Sequence, residues 1–322
     1  MKKILLGIGL PLLIILFFAC ADPAGPDPED TTAQPSLTSL SASVPSGSWM
    51  SYLRDSASLS AITIPGTHDS GSVTEPTWTP RAAKCQNLSI DKQLDSGVRF
   101  LDIRCHLKND AMTIYHGWIS MPIRFEDVLN VCSSFLNANW QETIILCVSN
   151  EDPDDDRNTN TKSFDVVLKE YIKNSTKPVY TKATIPTLGE ARGKMVLMRR
   201  FDSNEPYGIP TDGWPKCTMA PIIVQDDYIA TDNDQKWNAI TKLFDEARNG
   251  PLDKMYINFA SAYLPSVGGY PDIPSVSDDI TPRLTNYFSN SQLPRGRYGI
   301  VVLNFIDEEK ARLIYMKNFG RL

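Results

Sequence analysis

Short apolar runs recur along the chain from about residue 48 onward. Several of them are nearly continuous in Val, Ile, Leu and Met, which is typical of strands buried on both faces of a parallel sheet. The runs are AITIP, VRFLDIRC, MTIYHG, ETIILCVSN, GKMVLMRR, PIIVQDDY, KMYINFAS and YGIVVLNFI. The pattern therefore predicts about eight strands.

Segments with one apolar helical face lie between many of these runs. In RFEDVLNVCSSFLNANW the apolar positions recur at helical spacing, at Phe125, Val128, Leu129, Cys132 and Phe135. TKSFDVVLKEYIKN, NDQKWNAITKLFDEARNG and SVSDDITPRLTNYFSNS read similarly. Strands alternating with helices predict an α/β barrel of one domain over residues 48–322. An open doubly wound sheet is the alternative, although no glycine-rich phosphate loop follows any strand.

The first 47 residues follow a different pattern. Two lysines precede an apolar run that ends at Phe18 and is short for a membrane span of roughly 20 residues. We predict a lipoprotein signal peptide over 1–19, with Cys20 as the lipidated first residue of the mature protein; an ordinary cleaved signal peptide is the alternative. Residues 20–47 are rich in Pro, Ser, Thr and Asp and predict a disordered tether. We therefore expect an exported protein, either a membrane-anchored lipoprotein in the periplasm or on the cell surface, or a secreted one.

Charge and cysteine content narrow the function classes. The net charge of -6 indicates no nucleic-acid partner, because such proteins usually carry a basic patch. Beyond Cys20 the chain has five cysteines, an odd number that leaves at least one without a disulfide partner: Cys85, Cys105, Cys132, Cys147 and Cys217. No pair has metal-ligand spacing, and the three in apolar surroundings, Cys105, Cys132 and Cys147, are expected to be small core residues.

Polar residues stand where the predicted strands end. A barrel carries its catalytic groups at the carboxyl ends of its strands. His68 and Asp69 follow the first run, in AITIPGTHDSGSV. The other strand ends carry Asp102, Arg104, His116, Arg200, Asp226, Tyr228 and Asn304. We expect these distant residues to converge on one rim.

Two histidines, an arginine and carboxylates suit phosphodiester cleavage without a metal. One histidine can act as base and the other as acid, each worth roughly 10²–10⁴-fold in rate. Arginine can neutralise the charge that develops on the phosphate. A substrate with its own hydroxyl beside the phosphate would give a cyclic phosphate. The competing interpretation is structural, with Asp102 and Arg104 as a simple ion pair.

The motifs ITIPGTHDSG, DKQLDSGVRFLDIRC, YHG and ETIILCVSNE, in this order and spacing, resemble the catalytic X region of bacterial phosphatidylinositol-specific phospholipase C. GKMVLMRRF, VQDDY and MYINFAS fit the same family, so that the resemblance extends from about residue 49 to the C-terminus. It implies a distorted TIM-type barrel. It also implies a lyase that converts phosphatidylinositol-type or glycosylphosphatidylinositol-type lipids, without a cofactor, into diacylglycerol and inositol 1,2-cyclic phosphate. We expect a monomer that meets its lipid at a membrane surface through its anchor.

The resemblance implies a role for each residue. His68 is the base that activates the inositol 2-hydroxyl, and His116 is the acid that protonates the diacylglycerol oxygen. Arg104 stabilises the phosphate. Asp69 works with the acid and the leaving group, and Asp102 belongs to the same phosphate and acid network.

Three further positions match residues that hold the inositol ring: Arg200, Asp226 and Tyr228, the tyrosine by stacking. Arg104 stands where calcium-dependent relatives carry an acidic ligand, and Asp69 where they carry an amide ligand. The resemblance therefore implies activity without a metal.

Two departures from the family pattern matter. Asn304 stands where metal-independent relatives carry an aspartate that holds the base histidine. An amide can orient the imidazole but stabilises the imidazolium less well than a carboxylate, so a weaker base is expected. VSNE stands where relatives carry a lysine, so Ser149 or Asn150 is expected to contact the inositol in a less cationic pocket.

Two alternatives remain open at this point. The departures at Asn304 and at VSNE are compatible with a lipoprotein that binds inositol phosphates or glycans on the same barrel with weak or no turnover. A glycerophosphodiester phosphodiesterase shares the barrel and the paired histidines, but it usually needs metal-binding carboxylates around the first histidine, with which Arg104 fits poorly.

Overall fold

The fold is built on one curled sheet, described by a computed structural model over residues 44–78, 81–151, 160–215, 221–265 and 270–319. The signal peptide, Cys20, the tether up to residue 43 and Cys217 lie outside these residues. The strands are β1 Ile64–Thr67, β2 Phe100–Lys108, β3 Ala111–His116, β4 Ile119–Arg124, β5 Ile144–Asn150, β6 Val179–Tyr180, β7 Met195–Arg200, β8 Ile209–Pro210, β9 Ile222–Gln225, β10 Met255–Phe259, β11 Leu264–Pro265, β12 Pro271–Asp272 and β13 Ile300–Leu303.

Eight of these strands lie side by side in the order β6-β7-β5-β2-β1-β13-β10-β9, and every neighbouring pair is parallel. No pairing within the described residues joins β6 to β9, so the curled sheet is open between them. This is a distorted α/β barrel, and the predicted fold class is confirmed.

Seven of the eight predicted runs form strands of this parallel path. The exception is MTIYHG, which forms β3 and pairs antiparallel with β2 and β4. The eighth parallel strand is β6, which has two residues and leaves too short an apolar run to be recognised in the sequence. His116 therefore ends a hairpin strand that extends β2, not a strand of the barrel wall.

Helices connect the strands and cover the outside of the sheet. They are α1 Ile90–Asp95, α2 Phe125–Ala138, α3 Phe164–Asn174, α4 Leu188–Ala191, α5 Asn233–Asn249, α6 Ile273–Ser289 and α7 Glu308–Tyr315, with 3₁₀ turns at Ser46–Tyr52, Leu59–Ala61 and Met316–Asn318. The four predicted helices are confirmed as α2, α3, α5 and α6. Within the described residues, no helix combines the length and the apolar character that crossing a bilayer requires.

Alternation along each strand divides the core into two layers. Phe100 and Cys147 belong to the cluster inside the barrel, whereas Leu101 and Val148 belong to the cluster beneath the outer helices. Each such fully buried aliphatic or aromatic side chain contributes roughly 1.5–3 kcal/mol. Burial on both faces explains why these strands read as continuous apolar runs.

The described chain begins at the amino ends of the strands. Trp49 is fully buried, donates from Nε1 to the carbonyl of Gly97 (2.8 Å) and stacks on Tyr315 with ring centroids 5.2 Å apart. The buried ion pair of Arg99 with Glu142 (2.8 Å) lies beside it, just before β2 and β5. Residues 44–47, assigned to the tether from sequence, pack into the domain here, and Val44 is 2% exposed.

Candidate active site

The turn after β1 carries His68 and Asp69. The backbone N–H of His68 donates to the carbonyl of Leu303 at the end of β13 (3.0 Å), which fixes the turn to the neighbouring strand. Asp69 adopts a φ of +41°, in the left-handed region that costs a non-glycine residue about 1–2 kcal/mol. Beside it, the hydroxyl groups of Thr67 and Ser70 share a hydrogen bond of 2.7 Å. The turn thereby brings His68 Nε2 within 3.2 Å of Asp69 Oδ2.

Asp102 on β2 is the most connected carboxylate of the site. It is fully buried, and its Oδ2 lies 3.1 Å from His68 Nδ1 and 3.2 Å from Arg104 Nη2. Its other oxygen, Oδ1, lies 3.0 Å from Arg200 Nη1 at the end of β7. Asp102 therefore joins the predicted base to two guanidinium groups.

Asp69 lies between the two histidines. Its Oδ2 is 3.3 Å from His116 Nε2 as well as 3.2 Å from His68 Nε2, and its Oδ1 is 3.0 Å from Arg104 Nε. Arg104 thus contacts both Asp69 and Asp102 and occupies the centre of the group. The structure brings all five of these predicted catalytic residues together, although they come from β1, β2 and β3.

Burial and charge separate the proton affinities of these groups. Burial raises the pKa of Asp69 to about 7, although Arg104 and His68 oppose the shift. Burial, assisted by Arg104, lowers the pKa of His116 to about 4. Near neutral pH His116 is therefore uncharged, and the proton of this pair resides mainly on Asp69.

Asp102 behaves in the opposite way. Burial alone would raise its pKa, but Arg104, the hydrogen bond with His68 and the charge of Arg200 together hold the pKa well below its usual range. Asp102 is consequently ionised throughout the physiological pH range. Two neighbouring buried aspartates thus differ in charge state, an arrangement typical of acid–base sites.

A cavity of about 430 Å³ opens above these groups. Its lining includes the predicted ring-holding residues Arg200, Asp226 and Tyr228. Trp214 was not predicted. The Arg200 guanidinium lies over its ring at 3.9 Å, and its Nε1 donates to Asp226 Oδ2 (2.9 Å). Trp214 stands in a loop after β8, where no strand pattern pointed to it.

Glu151 is a second lining residue that sequence analysis missed. Its Oε1 lies 3.3 Å from Arg104 Nη1. It directly follows β5, and its place at a strand's carboxyl end was the available signal. Ser149 and Asn150, predicted to contact the ring, do not line the cavity. Ser149 pairs in register with longer residues on β2 and β7 that reach the cavity, while its own hydroxyl is buried.

Asn304 also departs from its expected contact. It lines the cavity, but its amide donates to the Ser277 hydroxyl on α6 (3.3 Å), and its carbonyl oxygen is buried without a partner among the described residues. His68 Nδ1 is bonded to Asp102 instead. The expectation that Asn304 orients His68 is corrected accordingly, and Asp102 joins His68 rather than His116.

The arrangement can move protons on both sides of a bound phosphate. A neutral imidazole held by an ionised carboxylate can accept a proton, and a protonated carboxyl hydrogen-bonded to a second imidazole can deliver one. Arg104 lies between them as a fixed positive charge. Among the described residues, His68, Asp69, Cys85 and His116 also bring their ligand atoms within 4.8 Å of one another, as a metal site would.

Comparison with known proteins agrees with this geometry. Residues 62–201 match the family model for the X domain of phosphatidylinositol-specific phospholipase C. A 1-phosphatidylinositol phosphodiesterase of Listeria monocytogenes is 30% identical over 287 residues, covering 86% of each chain. This chain belongs to the phosphatidylinositol-specific phospholipase C family. A Staphylococcus aureus 1-phosphatidylinositol phosphodiesterase is 34% identical over 238 residues, which are 66% of this chain and 74% of that protein.

Solved structures of phosphatidylinositol-specific phospholipase C share the fold. A mutant of the Staphylococcus aureus enzyme superposes with a TM-score of 0.73 at 26% identity, covering 87% of this chain and 99% of that one. The Listeria monocytogenes enzyme gives a TM-score of 0.68 at 26% identity, covering 86% and 100%. The family resemblance predicted from the motifs is confirmed.

Proposed function

We propose that this protein is a phosphatidylinositol diacylglycerol-lyase, which cleaves phosphatidylinositol-type lipids into diacylglycerol and inositol 1,2-cyclic phosphate. The observation that carries the proposal is the chain of contacts from Asp102 to His68, from His68 to Asp69 and from Asp69 to His116, around Arg104. The cavity above it, of about 430 Å³, has the size of a small-ligand site.

His68 acts as the general base of this reaction. Its Nε2 removes the proton of the inositol 2-hydroxyl, and that oxygen attacks the phosphorus. Asp102, ionised and 3.1 Å from Nδ1, orients the ring and stabilises the imidazolium that forms. Since Asp102 supplies this support, the asparagine at position 304 does not make the base weak, and an active enzyme is favoured over a binding module.

Asp69 and His116 together act as the general acid. As the bond between phosphorus and the glycerol oxygen breaks, the pair supplies the proton that this oxygen needs. The proton lies across the contact of 3.3 Å between Asp69 Oδ2 and His116 Nε2. The imidazolium of His68 and the ionised pair are reset when the cyclic product leaves and solvent returns the proton.

Arg104 supplies the positive charge at the phosphate. Its guanidinium is held by Asp69, Asp102 and Glu151, which fix it in place before the substrate binds and so avoid reorganisation during the reaction. This fixed cation does the work that a metal ion would otherwise do. We therefore propose activity without a metal or other cofactor.

The inositol ring binds on the far side of the cavity. Tyr228 is 49% exposed and offers a ring face for stacking, while Arg200 and Asp226 offer charged groups to the ring hydroxyls. Trp214 holds both of these charged side chains through its ring and its indole N–H. Glycosylphosphatidylinositol-type lipids share this ring and belong to the proposed substrate class.

Export and anchoring complete the proposal. The signal peptide over 1–19, lipidation at Cys20 and the tether of residues 20–47 would hold a monomeric enzyme near a membrane surface. The support is the sequence pattern alone. Metabolic labelling with a radioactive fatty acid should mark the wild-type chain and leave a Cys20→Ala variant unlabelled; equal labelling of both would contradict the anchor.

Phosphorus NMR tests the activity directly. Incubated with phosphatidylinositol vesicles and EDTA, the protein should convert the lipid signal into that of the cyclic inositol phosphate, with equal rates when calcium replaces the chelator. An Asn137→Ala variant, altered at an exposed position of α2 that does not line the cavity, serves as the matched control. The absence of cyclic product under both conditions would contradict the proposed function.

A further inference from the structure

Cys85 lies against the site without a role in the proposed reaction. It is fully buried, and its Sγ is 3.9 Å from Asp69 Oδ2. Its backbone N–H donates to the carbonyl of Ser72 (2.9 Å), and its carbonyl accepts from the N–H of Phe305 (2.8 Å). These two bonds hold the thiol at a fixed position beside the histidines.

The ligand atoms of His68, Asp69, Cys85 and His116 are already close to a tetrahedral arrangement. Zinc bonds of about 2.0–2.1 Å to nitrogen or oxygen and about 2.3 Å to sulfur give ligand separations of roughly 3.3–3.6 Å in a tetrahedral site with one sulfur. The separations measured from Asp69 Oδ2 are 3.2, 3.3 and 3.9 Å. All remaining pairs lie within 4.8 Å, so shifts of about 1 Å or less would complete the geometry.

The donor types select a particular class of ion. One thiolate, two imidazoles and one carboxylate suit zinc and similar thiophilic ions, whereas calcium and magnesium prefer oxygen ligands alone. A histidine ligand also needs a partner on its second ring nitrogen, which fixes the orientation of the ring toward the metal. His68 Nδ1 faces Asp102 at 3.1 Å while its Nε2 faces Asp69, which is the carboxylate–histidine–metal arrangement that outer-shell groups provide.

The surrounding charge tolerates a dication despite the neighbouring guanidinium. Arg104 contacts Oδ1 of Asp69, which leaves Oδ2 free to serve as a ligand. Arg104 interacts electrostatically with four carboxylates, Asp69, Asp102, Glu151 and Asp226, and Arg200 adds a second guanidinium group 3.0 Å from Asp102. Once Asp69 is ionised as a metal ligand, these carboxylates outnumber the two guanidinium groups.

We propose that a thiophilic divalent ion such as Zn²⁺ binds to His68, Asp69, Cys85 and His116 and blocks the enzyme. Binding forms a metal–sulfur and a metal–oxygen bond as two protons pass to solvent, the thiol proton of Cys85 and the proton that Asp69 shares with His116, with no change in oxidation state. Both imidazole nitrogens needed for proton transfer become metal ligands, so neither can exchange a proton with substrate. The proposed zinc binding does not depend on the proposed activity, whereas the proposed inhibition rests on that activity.

The test measures binding and inhibition separately on the full chain. Competition with a chromogenic zinc chelator should give one equivalent of tightly bound zinc for the wild type. Cys85→Ala should weaken that binding by at least about 100-fold, since loss of an outer-shell partner alone costs roughly 10–100-fold. The matched control is Cys132→Ala, a second fully buried cysteine on α2 in the outer core, which should bind zinc like the wild type.

Activity and spectroscopy complete the test. Zinc should inhibit the wild type and Cys132→Ala, with recovery on adding EDTA, and should inhibit Cys85→Ala only at concentrations at least about 100-fold higher. Cys85→Ala should keep its activity in EDTA. Cobalt bound to the wild type should show the absorption of a tetrahedral thiolate complex, a readout that needs no variant to fold. Equal zinc inhibition of Cys85→Ala and the wild type, or cobalt without a thiolate band, would overturn the proposal.

Discussion

Replacing Asp102 with asparagine tests which residue supports His68. Asp102→Asn keeps the size of the side chain and removes the charge that lies 3.1 Å from His68 Nδ1. At an effective dielectric constant of 20, a carboxylate and an imidazolium at that distance attract by about 5 kcal/mol. The amide oxygen keeps a hydrogen bond worth about 1 kcal/mol. A loss of about 3–4 kcal/mol in transition-state stabilisation predicts a kcat/KM lower by roughly 10²–10³-fold.

The assay must separate this effect from loss of fold. Asp102 also contacts Arg104 and Arg200, and breaking a buried ion pair destabilises a protein by about 3–5 kcal/mol. Initial rates on phosphatidylinositol vesicles should therefore be compared at temperatures where circular dichroism shows each variant to be folded. The rate should fall even when the variant is fully folded.

Asn304→Asp is the matched comparison, because it adds a carboxylate at the position that the family resemblance places beside His68. Since His68 is already bonded to Asp102 and Asn304 to Ser277, the rate should stay within about 3-fold of the wild type. A more than tenfold gain in Asn304→Asp, together with an unimpaired Asp102→Asn, would refute the assignment of Asp102.

Three further variants test the other side of the site. His116→Asn should lower kcat by roughly 10²–10⁴-fold in the phosphorus NMR assay, with an unchanged circular dichroism spectrum. Because the fold lowers the pKa of His116 from its ordinary value of 6.5 to about 4, the unfolded chain binds more protons than the folded chain between these two pH values. His116 therefore contributes more to stability as the pH rises through this window. The free energy of unfolding of His116→Asn, measured in urea, should rise with pH less steeply than that of the wild type, by up to about 1.4 kcal/mol per pH unit. Asp69 acts in the opposite direction. Its pKa is raised to about 7, so it stabilises the fold at low pH, and this stabilisation is lost as the pH rises through 7. The free energy of unfolding of Asp69→Asn should therefore fall less with rising pH than that of the wild type. Tyr228→Ala should raise KM several-fold and leave kcat within about 3-fold, measured by initial rates; an unchanged KM would contradict ring stacking.

The fold could be predicted from the sequence because its strands are buried on both faces. Residues such as Val196 and Val301 leave continuous apolar runs that a surface strand would not show. Two features escaped the pattern. The strand β6 is only two residues long, and MTIYHG has the apolar character of a barrel strand but turns back antiparallel on β2. An apolar run predicts that a strand is buried but does not predict whether it pairs parallel or antiparallel with its neighbours.

Site residues could be predicted from the sequence where a reactive side chain stands at a strand end, as at His68 and Arg104. The contacts between site residues could not be predicted from the sequence, because they depend on which side chains the curvature of the sheet turns toward each other. Asp102 and Asn304 both flank the β1 turn, and only the folded structure distinguishes which one faces His68 Nδ1. Trp214 was invisible for a related reason, since its importance lies in contacts with Arg200 and Asp226 across the cavity.

The position of Val44 has a practical consequence for handling the protein. Val44 and Trp49 pack at the amino ends of the strands, whereas the cavity opens at the carboxyl ends. A domain of about 275 residues has a radius of gyration of about 19 Å, so the two faces lie roughly 40 Å apart. Coupled to a bead or a sensor chip through its upstream chain, the domain presents its cavity outward. Lipid delivered in vesicles from solution would reach it more readily than lipid embedded in the support.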